Sequence, residues 1–331
     1  MINKISIALC TFNGANFLSA QLESFLQQTR LPDELIVCDD CSNDETVKIL
    51  KDFASNLPFP VQIYVNEKNL RSTKNFEKAI ALCTGELIFL SDQDDVWFAE
   101  KIAKIEAEFD KNPKVGMVFS DAEIVDENLQ SLGNNLFDFT FPEKKRNGQI
   151  FDILLSQNAV TGATMAFRAE FRQKFTPIPD DIPNLIHDAW IALSIAALAK
   201  IAFIDAPLVK YRQHTAQQLG INFESARTKN YDERQKNYAE AIEFLQKETA
   251  RLEHLSEIFF EFPQFEKKRE TVDFAKLIEE KTEQIKHLEA RMNLSLAKIW
   301  RVLPVFKEVF SGRYGRFSKG FLSAGKDLLE K

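Results

Sequence analysis

The chain has 331 residues, 45% hydrophobic and 27% charged, with a net charge of −7 and 29 Phe. That length and balance exclude a disordered chain and leave room for one large core or two modest ones, with Phe abundant in the core, on an apolar surface, or both. Charge is uneven, since Lys298 to Lys331 holds eight Lys and Arg against three Asp and Glu; an acidic body with a basic end argues against general nucleic-acid binding.

The run Ile5 to Cys10, ended by Thr11-Phe12-Asn13-Gly14, predicts a strand and a turn. It is too short for a signal-peptide core. No segment approaches the roughly 20 apolar residues of a membrane-spanning helix, so the expectation is a cytoplasmic chain that does not span. Phe17 to Gln28 has helical spacing until Pro32 breaks it. Glu34 to Cys38 is a second strand, Asp39 to Asp44 a polar turn, Thr46 to Ala54 a second helix and Val61 to Val65 a third strand. Helix Lys74 to Cys83 stops before Gly85, and strand Glu86 to Leu90 follows. Cys38 and Cys41 form a C-x-x-C, but Asp39 and Asp40 between them weaken thiolate chemistry, and a zinc site lacks a second pair. The four cysteines resemble no secreted disulfide framework and suit a reducing compartment.

Four strand–helix alternations predict an α/β sheet of parallel strands with helices on its faces. Ligands on such sheets sit at the carboxyl ends of the strands. Those ends hold Thr11-Phe12-Asn13, Asp39-Asp40 and Ser91-Asp92-Gln93-Asp94-Asp95, three polar clusters on one edge. Beyond Trp97 the pattern gives helix Ala99 to Phe109, strand Val115 to Ser120 and a long polar loop from Glu127 to Gly148. Ordered stretches around Asp152 to Gln157 and Gly162 to Arg168, helix Asp188 to Leu198 and strand Ile201 to Ile204 lead into Val209 to His214. From about Asn222 two long charged helical patterns, Tyr231 to Phe260 and Phe265 to Met292, predict an antiparallel hairpin.

Clustered carboxylates at a strand end repel one another unless a cation or bound hydroxyls offset them; a divalent ion bridging to a diphosphate would do so. Alone, Asp92-Gln93-Asp94-Asp95 reads as a solvated acidic turn capping the next helix, and two more polar strand ends on the same edge reverse that preference. Asp39 and Asp40 suit helix capping, though Asp40 could also accept from a pyrimidine N–H, with Thr11 and Asn13 near the base or ribose. Asp188, at a helix start, is by itself a cap. His214, by itself, is an ordinary histidine.

The stretches "ISIALCTFNGANFLSAQLESFLQQT", "IVCDDCSNDET", "KNFEKAIALCTGELIFLSDQDDVW", "VTGATMAFR", "HDAWIALSIAA" and "YRQH" fall in one order over residues 3 to 220. In that order they resemble the inverting family 2 glycosyltransferases of GT-A fold, and within them a bacterial rhamnosyltransferase-like branch that builds O-antigen or capsule. The resemblance implies nucleotide contacts at Thr11, Asn13 and Asp40, a ribose contact at Asp92, and Mg or Mn on Asp94 with His214 at the metal or diphosphate. It implies Asp188 as catalytic base and Gly162 and Trp190 beside the acceptor sugar. Cys41 stands where the family usually has Gly, and Arg71-Ser72 replaces a more usual small pair, with Arg71 able to reach the diphosphate.

The expected arrangement is therefore a GT-A catalytic domain (1–220), a helical hairpin (221–297) that could pair subunits, and a basic amphipathic tail (298–331). In the tail Ile299, Trp300, Val302, Leu303, Phe306, Val309 and Phe310 make an apolar face beside Lys298, Arg301 and Lys307, suited to an anionic membrane surface or to packing on the protein. The expected partners are a nucleotide-diphosphate sugar and a glycan acceptor, free or lipid-linked. Rival readings are a nucleotidyltransferase, which needs a Gly-rich basic phosphate loop where Thr11-Phe12-Asn13-Gly14 stands, and a binding protein without catalysis.

Overall fold

The structure, a computed structural model, describes residues 3–55, 57–141, 150–179, 182, 185–214, 231–261, 272–295 and 298–329. It divides into two compact units, Met1–Asn222 and Phe223–Lys331. Among the described residues no helix is long and apolar enough to cross a membrane.

The first unit is built on a nine-stranded mixed sheet. Its strands are β1 (Ile5–Thr11), β2 (Glu34–Asp39), β3 (Val61–Val65), β4 (Leu87–Ser91), β5 (Val96–Trp97), β6 (Val115–Val125), β7 (Ser131–Asn135), β8 (Met165–Arg168) and β9 (Lys200–Arg212). They lie in the order β3-β2-β1-β4-β8-β6-β9-β5, with β7 on β6. β1, β2 and β4 are buried along their whole length, as parallel strands covered on both faces must be. Helices α1 (Ala15–Leu26), α2 (Thr46–Ala54), α3 (Arg71–Leu82) and α4 (Lys101–Lys111) follow in the first half. This is the α/β sheet with flanking helices that the alternating pattern predicts.

Differences from the expected elements have local causes. The loop expected over 127–148 contains β7 and a short helix, α5 (Phe137–Thr140), while 142–148 lie outside the described residues. Short helices α6 (Ile150–Ser156) and α7 (Arg172–Phe175) lead to α8 (His187–Leu198). The two segments expected at Ile201 and Val209 are one strand, β9, whose register on β6 shifts near Pro207. Gly85 is no left-handed cap: a Cβ there would lie 2.7 Å from the Ser6 nitrogen, so the glycine lets β1 pass. Part of the Phe content is explained by Phe119, Phe137, Phe141 and Phe203, whose rings meet at centroid distances of 5.2 to 6.4 Å.

The second unit holds α9 (Tyr231–Glu261) and α10 (Phe274–Met292), then α11 (Val302–Phe310), α12 (Arg313–Phe317) and α13 (Phe321–Leu329). Lys281 meets Glu248 at 2.6 Å and Arg291 lies over the Tyr238 ring, so α9 and α10 run antiparallel. The segment 298–329 lies within the same compact unit as the two long helices. It folds into this unit, closing a small apolar cluster of Val305, Tyr314 and Ala324.

Candidate active site

Three parallel strands deliver half of the site. β2, β1 and β4 are neighbours, and the β1–β2 register pairs Thr11 with Asp39. The Thr11 hydroxyl donates to Asp39 at 2.8 Å and is buried, so it ties two strand ends together. Asn13 has φ 49°, a left-handed conformation that Asn tolerates. Its side-chain oxygen accepts from the Asn43 N–H (2.9 Å), and its own N–H donates to Ser42 (2.8 Å). These contacts fix the turn.

Asp40 is buried and engaged by protein donors. Oδ1 accepts from the Asn66 side chain (2.8 Å) and the Leu70 N–H (2.7 Å), and Oδ2 from the Arg71 N–H (2.8 Å). A carboxylate offers about four acceptor positions, so Asp40 caps α3 and keeps about one for a ligand. Arg71 opens that helix at φ 64° with its side chain exposed, a conformation uncommon for a long side chain. Cys41, at φ 66°, takes the left-handed turn for which the family resemblance expects Gly. Burial takes the Cys38 thiol up to about 11, and burial with Asp40 and Asp39 raises Cys41, which disfavours thiolate chemistry at this C-x-x-C.

The antiparallel strands deliver the other half. β8 runs against β4, so the turn Gly162–Thr164 that precedes it abuts the end of β4. β6 runs against β8 and β9 alongside β6, which brings the end of β9 to the same edge. There the Arg212 N–H donates to Asp95 (3.0 Å), and His214 Nε2 lies 2.9 Å from Asp94 Oδ2. Asp188, in the first turn of α8, accepts from the Gly162 N–H at Oδ2 (3.0 Å) and from Asn158 at Oδ1 (3.1 Å). A Cβ on Gly162 would sit 3.1 Å from His187 Nε2 and 3.6 Å from the Asp188 Cβ, so glycine is what allows this approach.

The electrostatics are those of crowded, dehydrated carboxylates. Burial, then Asp94 and Asp188, raises Asp92; burial, then Asp94 and Asp92, raises Asp95. Burial pushes Asp188 up to about 6 despite its donors. Asp95 Oδ2 is buried without a hydrogen-bond partner. Lys101 is buried here, its ammonium 3.4 Å from the Trp97 ring centre and donating to the Ala163 carbonyl at 2.5 Å; burial pulls it well below the usual lysine range. Such a cluster binds cationic or hydroxyl-rich ligands, and a carboxylate of raised pKa can take a proton near neutrality.

The sequence-derived residues thus divide. Thr11, Asn13, Asp40, Arg71, Asp92, Asp94, Asp188, Gly162 and His214 come to one edge of the sheet. Trp190 does not serve as expected: it is fully buried and its indole N–H donates to the Phe175 carbonyl (2.9 Å), leaving no face for a sugar. Lys101 and Asn158 also belong to this edge but to none of the three strand-end clusters. Lys101 carries a sequence signal, a lysine on the apolar face formed by Ile102, Ile105 and Phe109. Among the described residues no group of three or more His, Cys, Asp or Glu is arranged to hold a metal; Asp94 and His214 form a pair only.

The family model "Glycosyl transferase family 2" matches residues 6–175, more than half of the chain. The chain belongs to glycosyl transferase family 2. This family 2 chain is 28% identical over 228 residues to dTDP-rhamnosyl transferase RfbG of Shigella flexneri, covering 65% of this chain and 74% of that protein. It is 28% identical to an uncharacterised glycosyltransferase of Nostoc over 222 residues, 64% of this chain and 66% of that one. An uncharacterised Mycobacterium tuberculosis protein is 26% identical over 215 residues, 63% of this chain, and the match spans 59% of that relative's length. Among solved structures, S. aureus TarS 1-349 in complex with UDP superposes with TM-score 0.53 at 16% identity, covering 95% of this chain and 87% of that one. The fold is GT-A, a mixed sheet flanked by helices with further helices at the C-terminal end.

Proposed function

We propose that this family 2 chain is an inverting glycosyltransferase that moves a sugar from a nucleoside-diphosphate donor to an acceptor hydroxyl. The observation that carries the reading is Asp188. Its carboxylate is held by the Gly162 N–H and Asn158 and shifted to about 6, on the same sheet edge as Asp92, Asp94 and His214. In the step, the acceptor O–H gives its proton to Asp188 as its oxygen bonds to the anomeric carbon. The bond from that carbon to the diphosphate breaks on the opposite face, and the nucleoside diphosphate leaves.

Thr11, Asn13 and Asp40 would face the nucleoside and Asp92 the ribose, with Arg71 toward the diphosphate. Asp94 and His214 offer an oxygen and a nitrogen donor, a set that suits Mg or Mn when phosphate oxygens complete the shell. A bound divalent ion would stabilise charge on the leaving diphosphate. Rhamnose as donor sugar, and a cell-surface glycan such as O-antigen or capsule as acceptor, draw support from the name of the Shigella flexneri relative. Four cysteines without disulfides suit a cytoplasmic setting.

The test is Asp188→Asn in the full chain, assayed with a panel of nucleotide sugars and with donor binding followed separately. We expect transfer to fall about 10²–10⁴-fold with donor affinity kept. Retained turnover would sink the assignment.

A further inference from the structure

We infer that α11 and α13 form a docking face for an anionic lipid bilayer surface. The two helices, VLPVFKEVF and FLSAGKDLL, share one nine-residue pattern: paired apolar residues at each end, Val305 or Ala324 fourth, Lys sixth and an acid seventh. They pack against each other. Gly312 and Gly320, both at positive φ, make the turns that fold the chain back between them.

Both helices are inside out for a water-facing element. Their acids point inward: Asp327, 0% exposed, accepts from Arg291 (2.6 Å) and Tyr314 (2.7 Å), and Glu308, 5% exposed, meets Arg313 (3.0 Å) and His287 (3.1 Å). Their large apolar side chains point outward. At helical spacing Val302, Leu303, Phe306 and Phe310 share one side of α11, as Phe321, Leu322 and Leu329 share one side of α13. Leu303 is 81% exposed, Phe310 84%, Phe321 82% and Leu322 78%, and Ile299 and Trp300 extend the stripe.

Lys298, Lys307, Lys319 and Lys326 are exposed in the same segment, and among its described residues no carboxylate is. Exposed hydrophobics on this scale mark an interaction surface. Aromatic and aliphatic side chains flanked by lysines are the composition of a helix lying in the headgroup region of an anionic membrane. A second copy fits less well, because two such faces would set lysines against lysines. The remainder of the chain carries a net negative charge.

The experiment is co-sedimentation of the full chain with vesicles of phosphatidylcholine alone or mixed with phosphatidylglycerol, at low and high salt. We expect binding to the anionic vesicles that weakens with salt. Lys307→Gln with Lys326→Gln should weaken it roughly thirtyfold at low salt, at about 1 kcal/mol for each lysine. Leu303→Ser with Phe310→Ser and Phe321→Ser, all at exposed positions, should abolish it while leaving the thermal midpoint unchanged. Binding undiminished in either variant, equal binding to both vesicle types, or a stable homodimer that ignores vesicles would each overturn the inference.

Discussion

The two units bury carboxylates in opposite ways. At the sheet edge of the first unit, Asp92, Asp94, Asp95 and Asp188 lie together; burial with repulsion from neighbouring carboxylates raises Asp92 and Asp95, and burial raises Asp188. In the second unit each described buried carboxylate has a cationic partner: Glu248 with Lys281, Glu308 with Arg313, Asp327 with Arg291. There, burial tends to lower Arg291, and the Asp327 bond and charge together with Tyr238 and Tyr314 outweigh it, so the guanidinium is held above its usual range. A paired buried charge is part of the fold's framework, whereas repelling charges persist where a ligand relieves them.

The comparison breaks most visibly at Asp327. Replacing it by Ala leaves the half-buried Arg291 beside an emptied partner position, and the expected cost is about 3 kcal/mol. Chemical denaturation of the full chain, followed by a probe in the second unit, measures this. A loss near zero would mean that the ion pair does not help hold the second unit together. Removing a member of the sheet-edge cluster should do nothing of the kind.

A smaller effect sharpens the catalytic half. Gly162→Ala puts a methyl 3.1 Å from His187 Nε2, a contact that a shift of a few tenths of an ångström relieves. Because the Gly162 N–H also holds Asp188, that shift should lower kcat about tenfold, roughly 1.4 kcal/mol, with KM for the donor and the thermal midpoint little changed. An unchanged kcat would show that the turn does not position the carboxylate.

Much of this contrast is legible in the sequence, and the illegible remainder has physical reasons. Thr46–Ala54 and Val61–Val65 are read to the residue because polar residues and prolines bound them on both sides. β7 (SLGNN) has no apolar alternation and is a strand only because β6 supplies its pairing. The acids at the strand ends are legible because topology alone gathers them. Asn158 is not, since its contact with Asp188 spans thirty residues of chain and no local pattern announces it. Trp190 misleads because α8 is apolar on every side: HDAWIALSIAAL is a buried helix, and an aromatic within it belongs to the core. The basic end is visible as composition, but the inward turn of Glu308 and Asp327 is a matter of tertiary packing.

The smallest expected effect runs against intuition about mutation. Asp92→Asn deletes a charge whose burial and neighbours, Asp94 and Asp188, make it unfavourable in the folded chain. A folded pKa raised above the unfolded value means that the folded chain binds more protons, so stability falls as pH rises. For Asp188 the loss runs from near 4 to about 6; for Asp92, raised in the same direction, it continues beyond that. Asp92→Asn should therefore raise stability at neutral pH by on the order of 1 kcal/mol and flatten its pH dependence, while weakening donor binding. Thermal midpoints for both proteins across pH 4 to 8 decide it: a variant less stable at neutral pH would mean that Asp92 is already compensated in the folded chain, and the two clusters would no longer differ in kind.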